Sequence, residues 1–396
     1  MTEQGTKETY PGNRSIPPFS NDAALTCIPE DENFDGTWPF KPHFFYGNGF
    51  KQHYVEEGSE NASTGTIVLL HGEPTWGYLY RNFITPLSKT HRVIVPDHMG
   101  FGKSETPPNK EYCMRTHTLN LVNLLDHLQV ENVTFVIQDW GVIIGTQYAL
   151  RRPNIISRIF YLSAAFPAPG GMYPIAGRDD HGRLPLDKIT ALRNKESGQR
   201  WFQWILNGIP KDPDYLCPGR YSDRNGRAPQ GRTEQVLLNS GSTVVQTMKH
   251  LVGFQSEENM TDTWCRAYSS QFPTEASAVG ALNFPMEACG QLALSPEAQS
   301  FPTEKTSIED FAKIAGKPVW LAYGKHDRAI VFNEKKAQRF RAVYGDVPII
   351  QLENAGHFVQ EDCPDVLVAL IQMFIQTTGG GLFTKFQGGL NYKHRL

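Results

Sequence analysis

From residue 66 the chain alternates short, continuous runs of β-branched and aliphatic residues with longer stretches whose apolar positions recur at helical spacing. TIVLLHG (66–72), HRVIVPDHMG (91–100), VTFVIQD (133–139) and ISRIFYLSAA (156–165) read as buried strands. Between them YLYRNFITPLSK (78–89), THTLNLVNLLDHL (116–128) and VIIGTQYALRR (142–152) read as helices. The rhythm breaks after 165 and resumes late. KPVWLAYGKHD (317–327) and VPIIQLENAGHF (347–358) are strands, VFNEKKAQRFRAVYG (331–345) and DVLVALIQMFIQ (365–376) helices. Strands buried on both faces need crossover helices to run in the same direction. The pattern therefore predicts an α/β class: a mostly parallel central sheet flanked by helices.

The interruption predicts an inserted module. Residues 166–284 are more polar and broken by Pro and Gly, with helical patches such as RWFQWILNGI (200–209). A mainly helical cap over the carboxyl ends of the strands is the natural place for such a segment, since ligands of open α/β sheets bind there. The expected organisation is an N-terminal extension over 1–45, a core built from 46–165 and 285–378, a cap over 166–284, and a Gly-rich flexible tail over 379–396.

Composition narrows the partners. With 38 basic and 41 acidic residues the net charge is −3, which offers no electrostatic case for nucleic acid or an anionic membrane surface. No apolar run approaches membrane-spanning length, and the N-terminus lacks the apolar stretch of a secretion signal. A cytoplasmic protein acting on a small, apolar molecule is the expectation. The final HRL differs from a peroxisomal SKL in its first residue and is read as chance. Cys27, Cys113, Cys217, Cys265, Cys289 and Cys363 show no paired spacing, so neither a metal site nor a disulfide framework is expected.

Three chemically capable groups fall just past the carboxyl ends of expected strands: Asp139, Asp327 and His357. Their order is nucleophile, acid, histidine, the order of the catalytic triad in the α/β-hydrolase fold. Gly141 follows Asp139 by two residues, as a tight strand-to-helix elbow needs, whereas Ile137 is larger than the small residue usual two positions before the nucleophile. A carboxylate in place of the usual serine is the feature to explain. For the orienting acid, the rival position after the strand at 156–165 reads LSAAFPAPGGM and holds no carboxylate.

Together HGEPTWGYLYR (71–81), DHMGFGKSETP (97–107), VIQDWG (136–141) and NAGHFVQED (354–362) resemble the haloalkane dehalogenases of the α/β-hydrolase superfamily. The resemblance begins near residue 40, returns at 268–285, and is weak over most of 170–260. It implies that Asp139 attacks a carbon bearing halogen, that His357 activates water to cleave the resulting ester, and that Asp327 stabilises the imidazolium. Backbone amides of Glu73 and Trp140 would form the oxyanion hole. Trp140 would donate to the leaving halide, with Trp204 of the cap as the candidate second donor and Trp201 as its neighbour. No metal or organic cofactor is implied; the partners are substrate, water and halide.

Val142 stands where the family usually has a second glycine after the elbow. Two other readings share these residues. An epoxide hydrolase would use the same triad with two cap tyrosines as acids, among which Tyr268, Tyr173, Tyr215 and Tyr221 are candidates. HGEP lacks that family's bulky apolar third residue, so epoxides are expected to be poor substrates. A non-catalytic ligand-binding homologue would usually lose a triad member, and all three are present.

Overall fold

Among the described residues eight strands form one sheet in the computed structural model, which describes residues 24–58, 65–164, 244–245, 248, 253–273, 276–288, 295–299 and 308–378. The strands are β1 (Pro42–Phe45), β2 (Gln52–Glu57), β3 (Thr66–Leu70), β4 (Arg92–Pro96), β5 (Val133–Gln138), β6 (Ile156–Leu162), β7 (Val319–Gly324) and β8 (Ile349–Leu352), in the spatial order β1-β2-β4-β3-β5-β6-β7-β8. β1 and β2 are antiparallel to their neighbours; every other pairing is parallel. β3 and β5 are buried along their whole length, which explains their unbroken apolar runs. The helix α1 (Arg81–Ser88) packs with the helix Pro364–Thr378, and α2 (Met114–His127) packs with α3 (Trp140–Arg151).

The expected alternation from residue 66 onward is present, but three boundaries move for identifiable reasons. The strand expected over 91–100 ends at Pro96, because Asp97 turns inward and accepts from the backbone N–H of Gly77 at 2.8 Å and of Lys103 at 2.9 Å. The strand expected over 347–358 ends at Leu352. Beyond it the chain loops back under Asp362, whose carboxylate accepts from the N–H of Gly356 (2.7 Å), Gln255 (3.0 Å) and Ser256 (2.9 Å). The helix expected from residue 78 opens as a 3₁₀ turn over Gly77–Tyr80, so α1 starts only at Arg81.

The antiparallel pair β1 and β2 is an addition to the expected strands. The described end of the N-terminal segment is therefore part of the sheet: Pro42–Phe45 pairs with β2, and Phe34 and Trp38 pack against Trp76 at ring separations of 5.7 and 5.1 Å. The described residues of 253–288 are seated on the loops after β3 and β4. Trp76 Nε1 donates to the Ala267 carbonyl at 2.9 Å, Gln271 Nε2 donates to the Pro74 carbonyl at 2.8 Å, and Phe284 stacks on Phe101. These contacts fix one wall above the ends of β3 and β5.

Candidate active site

Asp139 sits between β5 and α3 with φ 51° and ψ −122°, a conformation that side-chain-bearing residues rarely adopt. Close packing holds it there. A Cβ on Gly141 would come within 2.6 Å of the Leu70 carbonyl and 2.7 Å of the His71 carbonyl, so only glycine lets α3 start this close to the end of β3. Ile137 is accommodated from the other side. A Cβ on Gly145 would lie 3.1 Å from two Ile137 atoms, so the space usually left by a small residue before the nucleophile is here left by a glycine in the helix. Val142 is buried, and its N–H donates to the Asp139 carbonyl at 3.0 Å, closing the first turn after the elbow.

The structure brings the three expected groups together. His357 Nε2 lies 3.3 Å from Asp139 Oδ2, and His357 Nδ1 lies 2.9 Å from Asp327 Oδ2. Asp327 is held in turn by the N–H groups of Ala329 (2.9 Å) and Ile330 (2.8 Å) on its Oδ1. Its full complement of donors suits a residue that orients an imidazole. Asp139 keeps some exposure, 13% of its side chain against 2% for His357 and none for Asp327. Burial disfavours the His357 imidazolium, but the charges and hydrogen bonds of Asp327 and Asp139 outweigh it and push the ring up to about 10.

Glu73 lies opposite. Its backbone N–H donates to Asp139 Oδ1 at 2.9 Å, where one donor of an oxyanion hole belongs. The Trp140 amide, the other expected donor, begins α3 directly after Asp139. The Glu73 side chain is 3% exposed and its Oε1 has no hydrogen-bond partner. Burial, reinforced by the nearby Asp139 charge and opposed by His357, pushes this carboxyl well above the usual range. Trp140 is buried and stacks on Phe284 with ring centroids 4.9 Å apart and planes 12° apart.

Tyr268 is fully buried and its hydroxyl is already engaged. Its hydroxyl donates to Glu361 Oε1, part of a buried cluster in which Arg81 also binds the Glu361 carboxylate. Trp201, Trp204, Tyr173, Tyr215 and Tyr221 lie outside the described residues, as do Cys217 and Cys289. The four described cysteines are free thiols, and no cluster suited to a metal ion occurs among the described residues. No described helix is long and apolar enough to cross a membrane.

Two functional neighbours are invisible in the sequence pattern. Gln138, the last residue of β5, places its amide 3.0 Å from His357 Nε2. An amide can present N–H to a neutral imidazole or, turned by half a rotation, its oxygen to an imidazolium, so Gln138 can serve both charge states. Asp362 fastens the loop that carries His357 to the segment at Gln255 and Ser256. The QD pair and the acidic end of NAGHFVQED were the available signals, and neither has a distinctive spacing.

Comparison with known proteins places this geometry in context. A family model described as the alpha/beta hydrolase fold matches residues 65–364. The chain is 27% identical to a cis-3-alkyl-4-alkyloxetan-2-one decarboxylase of Shewanella oneidensis over 87% of this chain and 91% of that protein. It is 26% identical to a haloalkane dehalogenase of Psychrobacter cryohalolentis over 89% of this chain and 96% of that one. Among solved structures, a tetrameric haloalkane dehalogenase of Paraglaciecola agarilytica superposes with a TM-score of 0.60 at 22% identity, covering 88% of this chain and 97% of the other.

Proposed function

The chain belongs to the α/β-hydrolase fold family, and on that premise we propose that it hydrolyses haloalkanes to an alcohol and a halide. One observation carries the reading: the elbow residue is a carboxylate, Asp139, within ion-pair distance of a histidine that a second carboxylate orients. Displacement at a saturated carbon needs a nucleophile whose product can be cleaved by water. An aspartate gives an ester, whereas a serine would give an inert ether. Similarity to haloalkane dehalogenases over most of the chain supports the same choice.

The geometry supports a distinct role for each oxygen. Oδ1 of Asp139 is already bound to the Glu73 amide, so Oδ2 attacks the carbon and halide departs. Oδ1 then becomes the ester carbonyl oxygen, poised to take the negative charge of the tetrahedral intermediate on the amides of Glu73 and Trp140. Trp140 offers an indole N–H, a donor without nucleophilic character, to the halide, and Trp204 is its proposed partner.

Electrostatics orders the steps. In the free protein the Asp139 charge helps keep His357 protonated. Alkylation removes that charge, the ring loses part of what raised it, and neutral imidazole becomes available to take a proton from water. The base is thus released by the step that creates its substrate. Purified protein should release halide from brominated and chlorinated alkanes, with Asp139→Ala slower by at least about 10³-fold. No release from either protein rules out the dehalogenase reading.

A further inference from the structure

Dehalogenation leaves one group at this site without a task. Halide departs as a stable anion and takes no proton, yet the site holds a buried carboxyl whose protonated form is favoured by burial and by the Asp139 charge, and whose Oε1 has no hydrogen-bond partner. Glu73 Oε1 is the sole carboxyl oxygen among the buried side-chain atoms that lack a partner within the described residues. Burying such a group without a hydrogen bond is costly, so a merely structural glutamate here is unfavourable. Its backbone is anchored on the nucleophile by the 2.9 Å bond to Asp139 Oδ1, and both Asp139 and His357 act on its charge. The acid is therefore part of the same constellation.

We propose that the Glu73 side chain is a proton donor to oxygen leaving groups, and that it gives this chain a second activity: opening small epoxides to diols. The inference rests on Asp139 as the nucleophile of the proposed function. Asp139 Oδ2 attacks an epoxide carbon; the ring C–O bond breaks, its electron pair passes to oxygen, and that oxygen takes the Glu73 proton. The products are a hydroxyalkyl ester of Asp139 and a Glu73 carboxylate. Charge moves between two neighbouring carboxyls and the total is unchanged. Loss of the Asp139 charge also removes one of the two causes that disfavour ionised Glu73. Water then attacks the ester with His357 as base. Of the two water protons, one ends on the diol and the other, passed from the imidazolium, restores Glu73.

This assigns to the polar loop between β3 and α1 the task that cap tyrosines would perform, and Tyr268 is occupied by Glu361. The third residue of HGEP, whose polarity argued against epoxides, becomes the feature that accommodates them.

The experiment compares 1,2-epoxyhexane and 1-bromohexane as substrates of the full chain and of Glu73→Gln, a change that keeps size and hydrogen-bonding capacity but cannot transfer a proton. Wild type should form diol, and Glu73→Gln should lose diol formation by about 100-fold more than it loses halide release, the range general-acid catalysis supplies. Glu73→Asp, which retains the acid on a shorter stem, should recover part of that selective loss. A wild type that releases halide without forming diol overturns the inference and leaves the dehalogenase reading intact. Diol without halide overturns that reading and supports the inference. Equal losses of both activities in folded Glu73→Gln, verified by its thermal midpoint, would show a structural role and also overturn it.

Discussion

Two aspartates at the ends of successive strands, β4 and β5, which flank β3 in the sheet, each sit beside a histidine and have opposite fates in this molecule. Asp97 follows β4 and is fully buried, with three donors on its carboxylate: Gly77 N–H on Oδ1, and Lys103 N–H and His53 Nδ1 on Oδ2, the last at 2.8 Å. Burial alone would raise its carboxyl, but His53, His71 and the Lys103 amide hold it below the ordinary range. Asp139 follows β5 in a strained backbone, partly exposed, with a single backbone donor on Oδ1 and a 3.3 Å histidine contact on Oδ2. The residue types are the same. What separates the two here is the number of donors each carboxylate already accepts from and the backbone strain at Asp139.

The contrast can be broken by substitution. Removing Asp97 leaves His53 and two buried amides without an acceptor, so Asp97→Ala should lower stability by about 3–5 kcal/mol in urea unfolding. A stable Asp97→Ala protein that has lost turnover would move Asp97 to the reactive side of the comparison. Asp362→Ala orphans the N–H groups of Gly356, Gln255 and Ser256 and should cost about 1–3 kcal/mol. It should also slow ester hydrolysis more than ester formation, because it loosens the loop of the base and not the nucleophile. Asp139→Gly should do the reverse of Asp97→Ala, gaining about 1–2 kcal/mol as backbone strain is relieved while turnover disappears. A loss of stability in that variant would mean the elbow is not strained.

The subtlest difference is in titration. His357 is raised in the folded protein, so its stabilising contribution is complete below its unfolded value of 6.5 and is lost as pH rises through about 10. Asp139→Asn removes one of the charges responsible. Its His357 should titrate at lower pH, read from imidazole carbon-bound proton shifts, and its stability should fall less steeply between those limits. In His357→Gln the ester of Asp139 should accumulate on exposure to a bromoalkane, visible as an added alkyl mass on the intact protein. Failure to trap any adduct would favour a binding role for the fold.

Much of this architecture was legible in the chain because burial on both faces writes itself as continuous apolar runs. β3 to β8 and the elbow follow from that signal, and so does the strand-end placement of Asp139, Asp327 and His357. β1 was not legible: its PHFF is half-buried throughout and carries no alternation. Strand ends were overrun wherever a side chain, Asp97 or Asp362, turns the backbone, since the apolar pattern does not encode a hydrogen bond made far along the chain. Gln138 and the unpaired Glu73 acid escaped for a related reason. Their roles depend on what lies beside them in space, and a polar residue next to a motif looks the same whether it is saturated or orphaned.

β6 and β7 are adjacent and in parallel register, from Ile159 opposite Val319 to Leu162 opposite Ala322, although residues 163–318 lie between them in sequence. Closing a loop of about 150 residues instead of a short crossover of ~15 adds only about 2 kcal/mol of entropy, so the equilibrium barely registers the insertion. The rate of assembly is another matter. Asp139 belongs to the half of the sheet built from nearby sequence, Asp327 and His357 to the half that must return across that gap, and their meeting is among the most non-local events in folding. A nascent chain would therefore carry the proposed nucleophile long before the proposed base, and the proposed activity would report the last docking step of the sheet.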